Sequence, residues 1–401
     1  MDISGFRSKL DFGWNNPVKK ETTQSSIPII NVVRSFSIFK VLAGHIGTNC
    51  NPPDLPWLAN LWGSFQGNAL HGVDLFFVVS GFLITRAIRE RSGNLFRPDI
   101  RDFYARRVGR IFPLLIFTLL FGVWMLYFSK DHTPLHTYCF NSHRFPFSGF
   151  FWISILTFTF NLYWLKLEPI SDYGFGLHWN VLWSLSIEEQ FYFFYPWVLK
   201  WFKSRKKFIY FLVLLIVAGV LSRFFSALFL KPGCHWEAIN SLAGFDFISI
   251  GILLFITQEK FGLMLKKNKT ISRGICIFGL VVVLTVDLTT NPNSDEGIYA
   301  PTLLGMGAYL FLLGGLNLGS LSAFWVDWLG FPGRLSYGIY LLHSGIFYFI
   351  WPVLAGQNSL VAFLVLSTTS TGVCFLSYRF FELPSNHLIR RFISKKSSVT
   401  T

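Results

Sequence analysis

The sequence predicts an all-α polytopic membrane protein with about ten transmembrane helices and one re-entrant or broken segment near residues 150–165. Of its 401 residues, 52% are hydrophobic and only 14% are charged, whereas about 25% of a soluble globular chain is charged. The mean hydropathy is +0.46. The 46 Phe and 14 Trp residues are typical of lipid-facing surfaces and of aromatic belts at the headgroups.

Eleven apolar segments approach the roughly 20 residues that a helix needs to cross about 30 Å of hydrocarbon. They lie at about 27–47, 70–88, 108–128, 150–165, 181–202, 208–230, 244–257, 272–288, 300–318, 336–355 and 359–380. Each is predicted to be helical, and most are predicted to span the membrane.

The distribution of Lys and Arg sets the predicted orientation, because cytoplasmic loops carry an excess of both. Residues 86–110 hold eight arginines and are predicted to be cytoplasmic, whereas the 48–69 loop holds no Lys or Arg and is predicted to lie outside. Eleven crossings would place the basic cluster at 203–207 outside, so one segment must fail to cross. Segment 150–165 is the best candidate, since a re-entrant piece is tolerated where protein surrounds it. Ten crossings then place both termini in the cytoplasm.

Three regions follow from this topology: a polar cytoplasmic N-terminal tail at 1–26, a transmembrane domain at 27–384 and a basic cytoplasmic C-terminal tail at 385–401. The net charge of +14 comes largely from basic residues in short loops, which is a topology signal. The sequence shows no pattern of a basic groove with interleaved aromatic residues, so nucleic-acid binding is not expected.

The cysteines and histidines show no convincing metal-ligand spacing, and we expect no metal. Cys50, Cys139 and Cys234 fall in predicted outside loops. A disulfide between two of them and three unpaired thiols are both compatible with the sequence.

Two ionisable side chains in the first predicted span indicate a functional site. Arg34 and His45 are 11 residues apart, so they project from one face of a helix about 16 Å apart along its axis. Charged groups at such depth are costly and usually face a cavity; a structural ion pair or a core histidine is the alternative. A neutral imidazole suits proton abstraction from an alcohol, and His45 is predicted to lie near the outer end of the span.

A cluster of arginines occupies the predicted cytoplasmic stretch FYARRVGRIFP, at Arg106, Arg107 and Arg110. Arginine clusters bind phosphates through bidentate, charge-assisted hydrogen bonds. Arginines that flank a span equally anchor topology and contact anionic lipids. On this pattern alone, a role in anchoring topology and contacting anionic lipids is favoured.

Segment 181–202 carries a polar stripe in the motif WSLSIEEQFYFFYP, where Ser184, Glu188 and Tyr192 share one helix face and Glu189 points elsewhere. A carboxylate at this depth could orient an imidazole or neutralise an arginine. The alternative is a helix-to-helix ion pair with Arg34.

Three further polar residues are supporting candidates. In the motif SYGIYLLH, Tyr340 and His343 align on one face and could line the same cavity, although a histidine beside tyrosines is more often a packed hydrogen-bonding group. Asp74, in GVDLFFVVSGFLIT, could help to bind an acceptor or cap its helix. The Ser80-Gly81 pair that follows is better explained by close helix packing.

The order of these motifs resembles the acyltransferase-3 family. Arg34 is followed after ten residues by His45, and then come, in order, GVDLFFVVSGFLIT, FYARRVGRIFP, WSLSIEEQFY, SYGIYLLH and the ending SYRFFELP. The motifs spread over nearly the whole chain.

The resemblance implies a ten-helix enzyme of the bacterial inner membrane that takes an acetyl or other acyl group from cytoplasmic acyl-CoA. By this resemblance His45 is the catalytic histidine, Arg34 is its partner, and Glu188 and Glu382 match two glutamates of the family. The expected CoA contacts are Arg106, Arg107 and Arg110.

The expected activity is O-acetylation of a hydroxyl on a glycan or glycolipid acceptor, such as lipopolysaccharide O-antigen, capsule or exopolysaccharide. Membrane lipids are the other expected partners, and the oligomeric state is left open. The family often adds an esterase-like domain after the last span, whereas this chain ends soon after it, so transfer is expected to finish within the membrane domain. Acylation of a small molecule or lipid, a proton-coupled transporter and a lipid-binding scaffold are the alternatives.

Overall fold

A computed structural model describes residues 27–46, 50–128, 149–167, 179, 181–229, 239–290, 296–318, 324–386 and 388. Within these ranges the chain is helical, and its only β-type contact is an isolated bridge between Asn51 and Asn358. In chain order the helices are α1 (Pro28–Ile46), α2 (Pro56–Gly67), α3 (Leu70–Ser92), α4 (Ile100–Phe128), α5 (Gly149–Leu156), α6 (Phe160–Leu167), α7 (Leu182–Trp201), α8 (Arg205–Phe229), α9 (Ser241–Lys267), α10 (Lys269–Thr289), α11 (Glu296–Gly315), α12 (Phe324–Leu329), α13 (Phe331–Arg334), α14 (Ser336–Leu354) and α15 (Ser359–Ser377), followed by a π-helical segment (Tyr378–Glu382).

Nine of the described helices are long and apolar enough to cross a membrane. They are α1, α3, α4, α8, α9, α10, α11, α14 and α15. Helix α7 has 20 residues but is not one of the nine, and it carries Glu188 and Glu189. The fold class is therefore an all-α polytopic membrane protein, and these ten long helices correspond to the ten predicted crossings. Their orientation, the cytoplasmic position of both termini and the three regional limits stay predictions.

The segment predicted near residues 150–165 is broken, as the charge pattern required. Helices α5 and α6 are eight residues each and are separated by a turn in which Phe158 has φ 54°, a conformation uncommon for a side chain of this size. Gln190 on α7 holds the turn, because its amide nitrogen donates to the carbonyl of Phe158 at 2.6 Å and to the side-chain oxygen of Asn161 at 2.8 Å.

Helix α2 was not predicted, since its 12 residues are too few for a span and lie in the segment predicted to be an outside loop. Its apolar residues nevertheless recur at helical spacing. Trp62 is its buried residue and stacks against Phe65 with ring centroids 5.6 Å apart, while Trp57 is exposed.

Helix α1 occupies the centre of the bundle and packs against α2, α3, α13, α14 and α15. Two glycines allow α3 and α9 to pack closely: a Cβ at Gly81 would lie 2.0 Å from the carbonyl oxygen of Ile248, and one at Gly251 would lie 1.9 Å from that of Val78. Packing was the preferred interpretation of Gly81, and this contact confirms it.

Replacing Gly251 with Ala is expected to destabilise the protein by about 1–3 kcal/mol, the usual cost of overpacking, because α3 and α9 must separate to admit the methyl group. Thermal unfolding of the detergent-solubilised protein measures the effect. Gly274→Ala is the matched control, since a Cβ there meets no atom within 4 Å and Ala favours a helix by about 1 kcal/mol over Gly. Equal melting temperatures for the two variants would contradict the close contact.

A buried ion pair joins α1 to α10. The ammonium group of Lys40 lies 2.6 Å from the carboxylate of Asp287, and the side chains of both are at most 1% exposed. His71 Nδ1 lies 3.1 Å from the same carboxylate oxygen, and Asn68 donates to the backbone carbonyl of Asp287 at 2.8 Å. A second pair, Arg223 and Asp246, joins α8 to α9. Neither pair was identified from the sequence, because each is created by tertiary packing.

Of the three cysteines in predicted outside loops, Cys50 is described, and it is a free, buried thiol. It donates to the carbonyl of Leu354 at 3.4 Å, and burial raises the pKa of the thiol, which keeps it protonated at neutral pH. Cys139 and Cys234 lie outside the described residues.

Candidate functional site

A cavity of about 750 Å³ lies between α1, α3, α4, α7, α14 and the π-helical segment; we call it the central cavity. On α3 its wall runs from Val73 to Ser92, and at a rise of 1.5 Å per residue these two positions lie about 28 Å apart along the helix axis. The cavity therefore extends along most of the roughly 30 Å thickness of a bilayer, starting from the end predicted to be cytoplasmic.

An ionic and hydrogen-bonded network lines the middle of the central cavity. Arg107 donates to Glu189 at 2.8 Å and lies 3.6 Å from Glu188, with its guanidinium carbon 3.7 Å from the ring centroid of Tyr192. The hydroxyl of Tyr192 donates to Glu188 at 2.8 Å, and that of Ser80 contacts both side chains. Packing was the preferred interpretation of Ser80, and these contacts show that it was wrong for this residue. Glu189 is not among the cavity-lining residues, in agreement with its predicted direction away from the stripe.

Arg34 and Arg110 also line the central cavity, and neither makes an ion pair within 4.0 Å to any residue that the structure describes. Arg34 is close enough to interact electrostatically with Arg110 and with Glu188, but Glu188 lies nearer to Arg107. The alternative in which Glu188 serves as the ion-pair partner of Arg34 is therefore not what the structure shows. Two guanidinium groups thus face the cavity with no described carboxylate within ion-pair distance of either.

The third member of the predicted arginine cluster, Arg106, lies at the cavity wall in a different setting. It donates to Asp102 one helical turn earlier at 2.7 Å, and Arg91 lies 3.6 Å from the other oxygen of Asp102. All three side chains are more than a third exposed. Asp102 therefore shares one negative charge between Arg91 and Arg106, whereas Arg107 is paired with Glu189 and Arg110 makes no ion pair to a described residue.

His45 does not line the described part of the central cavity and is joined to its wall by a series of aromatic rings. Its ring centroid lies 4.8 Å from that of His343, which lies 6.0 Å from that of Tyr340. Tyr340 does line the cavity, and its hydroxyl lies 2.5 Å from that of Ser184. The structure thus brings the predicted residues of α1, α7 and α14 into one region, with His45 beyond the end of the cavity.

Glu382 and Asp74 have different surroundings. Glu382, in the π-helical segment, lines the central cavity near enough to Arg110 for an electrostatic interaction. Asp74 is not among the cavity-lining residues, and it interacts electrostatically with Arg223 and Asp246. Asp74 also lies within α3, whose N-cap is Ala69, so it does not cap the helix. Its role with an acceptor stays a prediction.

No group of three or more His, Cys, Asp or Glu side chains that could hold a metal ion occurs among the described residues. The chemistry available at the site is instead that of guanidinium groups, a carboxylate network and two histidines. Such groups can bind a phosphate-bearing molecule and move a proton at the histidine end.

The fold and the central cavity define the class of this protein, a polytopic membrane protein with a deep, arginine-lined cavity. The chain belongs to the acyltransferase-3 family, because that family, described as an acyltransferase domain, matches residues 27–379.

The chain is similar to several proteins named as O-acetyltransferases. It is 26% identical to the peptidoglycan O-acetyltransferase OatA of Listeria monocytogenes over 91% of its own length and 57% of that protein. It is 28% identical to YrhL of Bacillus subtilis, which is named provisionally as a peptidoglycan O-acetyltransferase, over 89% of the chain and 54% of that protein. It is 26% identical to the O-acetyltransferase OatA of Staphylococcus aureus over 89% of the chain and 57% of that protein. The chain thus spans little more than half the length of these relatives, and no solved structure matches it.

Proposed function

We propose that this chain is a membrane O-acyltransferase, specifically an O-acetyltransferase, that moves an acetyl group from acetyl-CoA to a hydroxyl of a cell-surface glycan. The observation that carries the proposal is that Arg34 and Arg110 face a 750 Å³ cavity without an ion pair to a described residue. Membership of the acyltransferase family supplies the type of reaction. The names of the relatives supply the acetyl group and the glycan.

The donor enters the central cavity from the end that holds the arginines of α4, which is predicted to be cytoplasmic. Arg110 binds the phosphate groups of the donor, and Arg107, fixed by Glu189 and Tyr192, forms the wall beside them. Arg106 contributes to the positive mouth of the cavity. The length of the cavity along α3 lets the acyl thioester reach toward Tyr340 and the two histidines.

In the proposed reaction His45 takes the proton of the acceptor hydroxyl while the hydroxyl oxygen bonds to the acyl carbon. Arg34 lies about 16 Å from His45 along α1 and close enough to Arg110 for an electrostatic interaction, so it holds the donor within the central cavity rather than contacting the reacting carbonyl. The carbon–sulfur bond then breaks, the ester leaves with the acceptor, and the proton leaves with the thiol of CoA. The Glu188 network, including Tyr192 and Ser80, holds the wall of the cavity in place.

The acceptor hydroxyl belongs to a surface glycan or glycolipid and approaches from the predicted outer face, where His45 lies near the end of α1. Peptidoglycan, lipopolysaccharide O-antigen, capsule and exopolysaccharide all present such hydroxyls. The proposed location is a bacterial cytoplasmic membrane with both termini inside.

The proposal is tested with the purified protein in lipid nanodiscs, [¹⁴C]acetyl-CoA and glycan fragments as acceptors. We expect a label on the acceptor that mild base removes as acetate, because an O-ester is hydrolysed under those conditions. Mass spectrometry of surface glycans from cells with and without the gene identifies the acylated position. Absence of both CoA binding and labelled ester would overturn the proposal, and movement of intact substrate across the membrane without ester formation would indicate a transporter.

Replacing Arg110 with Lys is expected to raise the KM for acetyl-CoA about 10-fold or more, since a hydrogen bond to a charged group is worth roughly 1.5–3 kcal/mol and Lys cannot bind phosphate in a bidentate manner. Steady-state kinetics at varied donor concentration measure it. Arg97→Lys, at an exposed arginine that does not line the described cavity, is the matched control. If both variants kept the parental KM, Arg110 would serve only as a positive charge that attracts anionic lipid.

A further inference from the structure

His343 lies between His45 and the wall of the central cavity. It is fully buried, its ring is tilted by 55° to that of His45 at a centroid distance of 4.8 Å, and the ring of Tyr340 lies at a centroid distance of 6.0 Å. The surroundings of His45 are therefore set in part by a second imidazole from another helix.

The hydrogen bonds of His343 fix which nitrogen carries its proton. Its Nδ1 lies 3.0 Å from the carbonyl oxygen of Ile339 and 2.8 Å from that of Tyr340. Carbonyl oxygens only accept hydrogen bonds, so in the neutral ring the proton is on Nδ1 and Nε2 carries a lone pair. The hydroxyl of Ser344, 3.4 Å away, can donate to that lone pair.

The same turn of α14 is tied to α7, because the hydroxyl groups of Tyr340 and Ser184 are 2.5 Å apart. The backbone of this turn accepts the hydrogen bonds of His343, so the position of its ring is determined by two helices. A ring held in this way restricts the rotation of the His45 ring that packs against it.

We propose that His343 is a positioning residue for His45: its ring fixes the orientation of the His45 ring, which packs against it at a centroid distance of 4.8 Å. The inference rests on the proposed function of His45 as the base.

Three substitutions separate this role from simple packing: His343→Ala, His343→Asn and His343→Gln. The amide of Asn can still donate to the backbone carbonyls as Nδ1 does, but it has no ring to contact His45. The longer side chain of Gln places an amide near the position of Nε2. We expect kcat to fall about 10- to 100-fold in the Ala and Asn variants, the usual effect of removing a group that orients a histidine, with the KM for acetyl-CoA unchanged and partial recovery in the Gln variant.

Full activity of the Ala variant would overturn the proposal. Full activity of the Asn variant would also overturn it, because it would show that His343 only donates a hydrogen bond to backbone carbonyls. Should the Ala variant fail to fold, the Asn and Gln variants decide the question by the same comparison. A parallel fall in kcat and melting temperature across the series would show a structural role and would also overturn it.

The NMR signals of ¹⁵N-histidine-labelled protein test His343 independently of acyl transfer. The His45→Ala variant identifies the signals of His45 by their loss. We expect His343→Gln to shift those signals, because the neighbouring ring is removed, and unchanged signals would contradict the contact. If the parent transferred no acyl group while these signals shifted, the proposed function would fail and the coupling of the two histidines would stand.

Discussion

The His45→Ala variant is expected to bind acetyl-CoA normally and to transfer no measurable acetyl group. The loss should be about 10²–10⁴-fold, the usual contribution of general acid–base catalysis, because no other described residue occupies the same position at the end of α1. Donor binding should survive, since His45 does not line the described part of the central cavity. Titration calorimetry measures the binding, and labelled acetyl-CoA measures the transfer.

A matched control for His45→Ala is Ser370→Ala, which shortens a buried side chain on α15. The hydroxyl of Ser370 has no hydrogen-bond partner among the described residues, so its removal should change neither binding nor transfer. Transfer at the parental rate by the His45 variant would exclude His45 as the base. A loss of donor binding together with transfer would instead show that the substitution distorts the cavity.

Replacing Arg34 with Gln is expected to raise the KM for acetyl-CoA by about 10- to 100-fold, since a hydrogen bond to a charged group is worth roughly 1.5–3 kcal/mol, with a smaller effect on kcat. The structural reason is the position of Arg34, which faces the central cavity from α1 and makes no ion pair to a described residue. Arg34→Lys keeps the charge but loses the planar, branched donor, so it should recover only part of the affinity.

Arg273→Gln provides the control for the Arg34 series. Arg273 is an exposed arginine on α10 outside the described cavity wall, and its loss should leave the KM for acetyl-CoA unchanged. If Arg34→Gln lowered kcat strongly and left KM intact, Arg34 would belong to the chemical step rather than to donor binding. Equal kinetics for the two Gln variants would remove Arg34 from the site.

Hydropathy and charge were sufficient to predict the long helices and the break near residues 150–165, because a bilayer imposes both length and orientation on each span. The observed limits of a helix differ from the predicted ones where charged residues lie at its end. The third predicted span begins at Ile100 rather than near residue 108, since the basic turns before it continue the same helix. Helix α2 was not predicted, because a short amphipathic helix lacks the long apolar segment by which a membrane span is recognised.

Within the site, the sequence identified residues better than their partners. Arg34, Glu188 and Tyr340 were recognised because polar groups at membrane depth are costly, and all three line the central cavity. The pairing of Arg107 with Glu189 was not predicted. Sequence spacing shows on which face of a helix a side chain lies, but it does not show which residue of another helix a long arginine side chain contacts. Lys40 and Asp287 are 247 residues apart, and no local pattern indicates such a contact.

We propose that the protein passes an acetyl group from one side of the membrane to a glycan on the other, and proteoliposomes with a known orientation test this transfer. Labelled acetyl-CoA is supplied on the face that carries the arginine end of α4, and the glycan acceptor is enclosed on the opposite face. We expect labelled ester on the enclosed acceptor, and none when His45 is replaced by Ala. Ester formation only when donor and acceptor share one face would contradict transfer across the membrane.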